Sequence, residues 1–122
     1  MKRIRRSSLG RLNDVRSAAE LILQHTADRT VEEYVADPWF RSAVERNFEI
    51  IGEAINKLQQ QDPAIVESIP NVREIVSFRN WLAHGYYDID HDRVWSYTEE
   101  QLPGLLAVVT SLLDTLDQDS SS

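Results

Sequence analysis

A guanidinium, an amide, an imidazole and two phenols fall within ten consecutive residues, Phe78-Arg79-Asn80-Trp81-Leu82-Ala83-His84-Gly85-Tyr86-Tyr87. Arginine and histidine with four residues between them make a workable pair for phosphoryl transfer. A guanidinium clamps a phosphate through two parallel hydrogen bonds. Imidazole has the unperturbed pKa nearest to neutral, so it can accept or release a proton at working pH. Asn80 could orient either partner by hydrogen bonding. No other segment of the chain gathers reactive groups in this way.

The elements around the segment must hold these groups. Val72, Ile75, Phe78 and Leu82 recur at helical spacing and predict a buried stripe for the helix that carries the motif. Asn80 and His84 are four apart and share a face, and Arg79 has the reach to join them. Gly85 suits the left-handed residue just past a helix end, which leaves Tyr86 beyond the helix. Considered alone, the same residues also fit a purely structural role. Arg79 could pair with an acid, His84 could interact with the dipole at the helix C-terminus, and Tyr86 and Tyr87 could pack at a rim.

The rest of the chain reads as helix throughout. Ser7 or Ser8 can cap a first helix, whose apolar stripe begins at Leu9 and runs to about residue 27. Thr30 and Glu33 have capping-box spacing for a short helix over 31–36. Asp37-Pro38 pairs a cap with proline at the first helical position, opening a long helix to about Gln61. Its apolar face gathers Phe40, Ala43, Val44, Asn47, Phe48, Ile51, Ala54, Ile55 and Leu58. Arg46, Glu49, Glu53 and Asn56 fall on the other side, as a solvated ion-paired stripe or as a cleft or dimer interface. Asp62-Pro63 repeats the cap-and-proline device, and Asn71 with Glu74 repeats the capping-box spacing. Asp90 can cap the helix of Val94, Trp95 and Tyr97. Pro103 should end or kink that helix before a last amphipathic one. The expected architecture is an all-α bundle of four to six helices over residues 9–116, with a basic arm at 1–8 and a polar tail at 117–122.

Composition narrows the function. The 122 residues contain no cysteine, which excludes disulfides, thiolate metal sites and cysteine nucleophiles and fits a reducing, cytoplasmic location. No apolar run approaches the ~20 residues needed to span a bilayer, and the basic N-terminus lacks the apolar stretch of a secretory signal. Formal net charge is −7. Residues 1–16 nevertheless hold six of the thirteen basic residues and only one acid. Such a chain is a poor general binder of nucleic acid, so an RNA substrate would have to meet a local positive site. The basic arm fits a solvated terminus, or an arm that steers phosphate.

The motif resembles the signature of the HEPN-domain ribonucleases, and more closely that of the HepT-like toxins of toxin–antitoxin pairs. That signature is arginine, a polar residue, three further residues, histidine, one residue and tyrosine. Arg79, Asn80, His84 and Tyr86 match it without departure. Arg41 to Ala54 is similar to the family's second long helix, and Tyr86-Tyr87-Asp88-Ile89-Asp90 with Val94-Trp95 to the passage into its next helix. The resemblance implies a homodimer with two motifs facing one cleft, and RNA cleavage that needs no metal or other cofactor. Arg79 and His84, with Asn80, would be the catalytic residues. It also implies a small nucleotidyltransferase antitoxin that silences the nuclease by placing adenylate groups on Tyr86.

Two other classes stay open on the residues alone. One is a non-catalytic, nucleotide-binding accessory subunit of a minimal nucleotidyltransferase; the other is a structural helical dimer. Trp39, Trp81 and Trp95 are expected in the core or at a dimer interface, with Trp81 able to pack inside one chain or touch a second. His25 is expected in the last turn of the first helix. His91, beside Asp90 and Asp92, is expected at a capped, solvated helix start and not in a metal site.

Overall fold

The computed structural model describes residues 6–83 and 90–120, and over these the chain is helical with no strand. In chain order the helices are α1 (Arg6–Thr26), α2 (Val31–Ala36), α3 (Pro38–Gln61), α4 (Pro63–Val66), α5 (Val72–Ala83), α6 (His91–Glu100) and α7 (Leu102–Ser120). Five of the seven have ten residues or more, and α2 and α4 are short connectors of six and four residues. The expected all-α bundle is what forms.

Local chemistry explains most boundaries. At α2, Thr30 Oγ1 accepts from the Glu33 N–H at 3.2 Å while the Glu33 carboxylate accepts from the Thr30 N–H at 3.2 Å, a closed capping box. Asp37 caps α3 by accepting from the N–H groups of Trp39 and Phe40, with Pro38 in the first turn. Asp90 caps α6 by accepting from the Arg93 N–H at 3.1 Å. The chain breaks at Gln101, and Pro103 then sits in the first turn of α7, where its missing N–H costs nothing.

Some expected caps have other duties. α1 starts at Arg6, ahead of Ser7 and Ser8, so the boundary expected after residue 8 lies inside the helix. Ser8 is fully buried and its hydroxyl donates to the Asp62 carboxylate. Asp62 in turn makes no side-chain cap for α4, because its carboxylate serves Ser8. Asn71 does not close a capping box with Glu74. It takes φ 58°, a left-handed conformation that asparagine tolerates, and its side chain donates to Gln101. α7 runs on to Ser120, through residues expected in the tail.

α3 lies at the centre, flanked by α1 on one side and α5 on the other; α7 packs on α1, and α6 on α7. Its buried face is Phe40, Val44, Phe48, Ile51, Ala54, Ile55 and Leu58, whereas Ala43 is exposed and Asn47 half-buried. From α1 come Leu12, Val15 and Ile22, from α5 Ile75, Phe78 and Leu82, and from α7 Leu102, Leu105 and Val109. Fully burying one such side chain is worth ~1.5–3 kcal/mol, so this core carries the fold. The short connection through α4 turns the chain back, and α5 runs antiparallel to α3. Gly52 meets Ile75 and Arg79, and Phe48, one turn nearer the start of α3, meets Phe78 at 6.1 Å between ring centroids. Trp95 is buried as expected. Trp39 is not in the core of this chain: it is 87 % exposed.

Candidate active site

The positioning of Arg79 begins with a missing side chain on the neighbouring helix. A Cβ at position 52 would lie 2.3 Å from the Arg79 Cβ, 2.9 Å from its Cγ and 3.2 Å from the Ile75 carbonyl oxygen. Real Cβ atoms essentially never come that close, so α5 reaches this depth against α3 only because residue 52 is glycine. Phe78, one residue before Arg79, is buried and clamped edge-on by Phe48 and Tyr97, at 6.1 and 5.1 Å. The backbone that carries Arg79 is thus fixed from two sides.

Arg79 itself is half-buried, and its Nη1 donates to the Asn80 Oδ1 at 3.0 Å. Asn80 is exposed. An amide oxygen on one guanidinium nitrogen fixes the plane of the fork and leaves further N–H donors for an anion. Trp81 is half-buried and stacks on Phe78 with centroids 6.2 Å apart. It therefore packs within the chain while keeping part of its ring accessible. His84, Gly85, Tyr86 and Tyr87 lie outside the described residues.

The second stripe of α3 is ion-paired along its own length. Arg46 meets Glu49 at 3.4 Å and Lys57 meets Glu53 at 3.6 Å. Both are one-turn pairs on an accessible face, worth ~0.3–0.5 kcal/mol each, so they order the surface more than they stabilise it. Neither pair draws Arg46 or Glu53 onto Arg79. Because α5 runs antiparallel to α3, Glu49, one turn before Gly52, stands level with the C-terminal end of α5.

Three features escaped sequence reasoning. Gly52 gave no signal, since a glycine inside an amphipathic helix reads only as a weakened position. Tyr34 is fully buried among Phe40, Trp95 and His91, with centroids 5.7, 5.3 and 5.9 Å away. Burial raises its pKa above the usual phenol value, with Glu45 adding to the effect and Arg41 opposing it. His91 opens the capped helix as expected, but it is half-buried and not fully solvated. Its Nδ1 is buried 3.9 Å from the Glu45 carboxylate and has no hydrogen-bond partner among the described residues. Burial first, and then Arg41, lowers the His91 pKa from its ordinary 6.5, against Asp90 and Asp92, which raise it. Burial likewise raises the pKa of Glu45; Arg41 opposes this and Glu49 adds to it.

A separate cavity of about 340 Å³ opens between α1 and α3 beside Trp39, lined by His25, Arg29, Phe40 and Asn47 among others. None of the described motif residues lines it. His25 does fall in the last turn of α1. Among the described residues no group of three or more histidine, cysteine, aspartate or glutamate side chains is placed to hold a metal.

Comparison with known proteins decides the family. The family model described as "Ribonuclease HepT-like" matches residues 15–112, most of the chain. The chain belongs to the HepT-like ribonuclease family. It is 32% identical over 102 residues to a Thermococcus cleftensis protein named "Probable ribonuclease HepT", covering 84% of this chain and 92% of that one. It is 34% identical over 94 residues to a Methanocaldococcus jannaschii protein named a candidate RNase, covering 75% of this chain and 84% of that one. A longer protein of the same archaeon, named both a gamma-glutamylcyclotransferase and a candidate RNase, is 28% identical over 111 residues. The chain spans about half of that protein's length, while 91% of the chain is covered. No solved structure matches the chain. No described helix is long and apolar enough to cross a membrane.

Proposed function

We propose that this HepT-like ribonuclease is an endoribonuclease toxin that cleaves RNA through Arg79 and His84 and is silenced by a nucleotidyltransferase antitoxin acting on Tyr86. The observation that carries the reading is the seat of Arg79. A catalytic guanidinium gains from being fixed before substrate arrives, because dipoles aligned in advance need no reorganisation in the transition state. Glycine-enabled packing on α3 fixes the backbone of Arg79, and Asn80 holds its fork.

In the proposed reaction a base removes the proton of a ribose 2′-hydroxyl. The new O2′–P bond forms as the P–O5′ bond breaks, and the departing 5′-oxygen is protonated. A 2′,3′-cyclic phosphate and a 5′-hydroxyl result. Arg79 meets the charge that builds on the non-bridging oxygens, and His84 moves a proton. The scheme asks nothing of a metal. A two-fold dimer would bring two motifs to one cleft.

The regulatory step follows from the position of Tyr86, two residues from His84. An adenylate there adds bulk and negative charge, which would repel the RNA phosphate and occupy the arginine.

The test is cleavage of a labelled oligoribonucleotide by purified protein, with and without EDTA. His84→Ala and Arg79→Ala should each lose ~10²–10⁴-fold in rate while keeping wild-type circular dichroism. Cleavage should survive EDTA. Full activity in either variant, or strict dependence on an added divalent metal, overturns the assignment.

A further inference from the structure

The cavity between α1 and α3 combines bare apolar surface with hydrogen-bond donors for an anion. Trp39 stands on its wall 87% exposed, and Leu21, also on the wall, is 45% exposed. They are two of the three large apolar side chains left exposed among the described residues. One such residue alone needs no explanation, but two at one concavity mark a place for a binding partner. Trp39, Ala43 and Asn47 follow one another at four-residue steps along α3. They make one line ~12 Å long, with only the Ala43 methyl between the indole and the amide.

Arg29 lies over the buried Phe40 ring, with its Cζ 4.4 Å from the centroid. A guanidinium over a ring is held by its flat face, and its in-plane N–H donors stay available. Among the described residues no carboxylate pairs with Arg29. His25, exposed in the last turn of α1, offers a ring N–H on the same cavity. The acid on the wall is Asp37, and its carboxylate is turned into α3, where it accepts from the N–H groups of Trp39 and Phe40. Asn47 Nδ2 donates to the Ala43 carbonyl at 2.9 Å, so the Asn47 amide has its Oδ1 left as an acceptor. An open aromatic face, donors for an anion and one acceptor thus share about 340 Å³, a volume in the range of small-ligand sites. An apolar peptide would meet Trp39 and Leu21 and leave the guanidinium unanswered. A nucleotide meets all three, with its base on the indole, its phosphate on Arg29 and His25, and an N–H of the base on Asn47. In a chain of net charge −7, an arginine without an acid partner beside a bare tryptophan suits a polyanion with rings.

We propose that this cavity is a substrate-binding subsite that holds one unpaired nucleotide of the RNA strand, with the base on Trp39 and the phosphate on Arg29. The choice of RNA as the ligand rests on the ribonuclease reading above. The cavity opens on the α1 side of α3, whereas Arg79 rests on Gly52 against α5. The subsite therefore holds the strand and takes no part in breaking the bond. Binding of that kind is equal in the ground state and the transition state, so it sets KM and leaves kcat alone. Bases inside a duplex have no free face to stack, so the subsite selects single strands.

The experiment measures binding of a fluorescein-labelled 2′-O-methyl oligoribonucleotide by anisotropy over a range of salt. That strand lacks the attacking hydroxyl and stays whole. Trp39 and Arg29 are both exposed, so their variants should keep the wild-type fold. Trp39→Ala should weaken binding ~5–150-fold, the loss of one stacked base, and Trp39→Phe should restore most of it. Arg29→Gln should weaken binding and flatten the slope of log affinity against log salt by ~0.7, one phosphate contact on a single strand. Trp39→Ala should leave that slope unmoved, and should not weaken binding of the same strand annealed to its complement. On a cleavable oligoribonucleotide Trp39→Ala should raise KM and hold kcat. Wild-type affinity in Trp39→Ala, or an equal loss on the duplex, overturns the inference. If Trp39→Ala splits a wild-type dimer and keeps its RNA affinity, the cavity seats a second copy and the inference falls. If AMP alone binds as tightly as the strand, the cavity takes a free nucleotide and the inference falls as well. A wild type that binds the strand through Trp39 and Arg29 but leaves RNA uncut refutes the ribonuclease reading alone. A wild type that cuts, while Trp39→Ala cuts with the same KM, refutes the subsite alone.

Discussion

Gly52→Ala should separate catalysis from stability. The added Cβ would stand 2.3 Å from the Arg79 Cβ, where ordinary contact begins at 3.4 Å, a shortfall of about 1.1 Å. The atom it meets is the first of the side chain and cannot swing aside as the guanidinium could. The Ile75 carbonyl at 3.2 Å blocks retreat in the other direction. α5 must therefore move away from α3 by about the shortfall, taking Arg79 with it. Forcing one extra methyl into a packed interface costs ~1–3 kcal/mol. Replacing glycine by alanine inside a helix returns ~1 kcal/mol, leaving a net loss of roughly 0–2 kcal/mol, which a domain of this size survives. Catalysis has no such offset: a misplacement of ~1 Å can cost ~10²-fold in rate. The assay is cleavage of a fluorogenic oligoribonucleotide beside a urea denaturation curve on the same preparation. Gly10→Ala is the control, since Gly10 is also helical and a Cβ there meets nothing within 4 Å. It should keep wild-type cleavage and hold or gain stability. Wild-type cleavage by Gly52→Ala, or an equal loss in Gly10→Ala, would refute the reasoning.

Ser8→Ala removes the donor that serves the Asp62 carboxylate, a bond to a charged group worth ~1.5–3 kcal/mol. Its unfolding free energy from a urea curve should fall by that measure with cleavage unchanged, and an unchanged value would show the bond to be idle. Analytical ultracentrifugation at micromolar concentration should give a dimer; a monomer throughout would count against a shared cleft. Tyr86→Phe keeps the ring and removes the acceptor oxygen, so it should stay toxic when a cognate nucleotidyltransferase is co-expressed with it. Intact-mass spectrometry of the wild type should show added adenylate, and neutralisation of Tyr86→Phe by the partner would sink the account of Tyr86.

The fold was legible because its signals are local. Thr30 with Glu33, Asp37 with Pro38, and Asp90 each announce a helix start within four residues, and each makes the backbone bonds expected of it. The misread caps share one cause. A Ser, Asp or Asn side chain can satisfy a nearby N–H or a partner far along the chain, and propensity knows only the first. Ser8 and Asp62 chose each other across 54 positions, and Asn71 chose Gln101 across 30. Of the two places expected for Trp39, the core of this chain is ruled out by its exposure, and the helical period already put Phe40 and not Trp39 on the buried face of α3.

The site was legible only in part, for a physical reason. Arg79 and Asn80 stand out as candidates because their chemistry is written in one short stretch, and they do pair, at 3.0 Å. Gly52, Glu45 and Tyr34 carry no chemistry in sequence that marks them. Their meaning arises when α3 is laid against α5 and α6, and then a methyl group's absence becomes a seat for a guanidinium. His91 shows the same lesson in charge. In sequence it stands between two aspartates, and neighbours of that kind argue for an easily protonated, solvated ring. In the fold the desolvation of the ring and the Arg41 cation from another helix outweigh both. Through-space neighbours at low dielectric count for more than exposed charges next in the chain. A motif of few residues can thus name a family, while the close packing that seats its arginine comes from a glycine in a helix whose own sequence looks like ordinary core and surface.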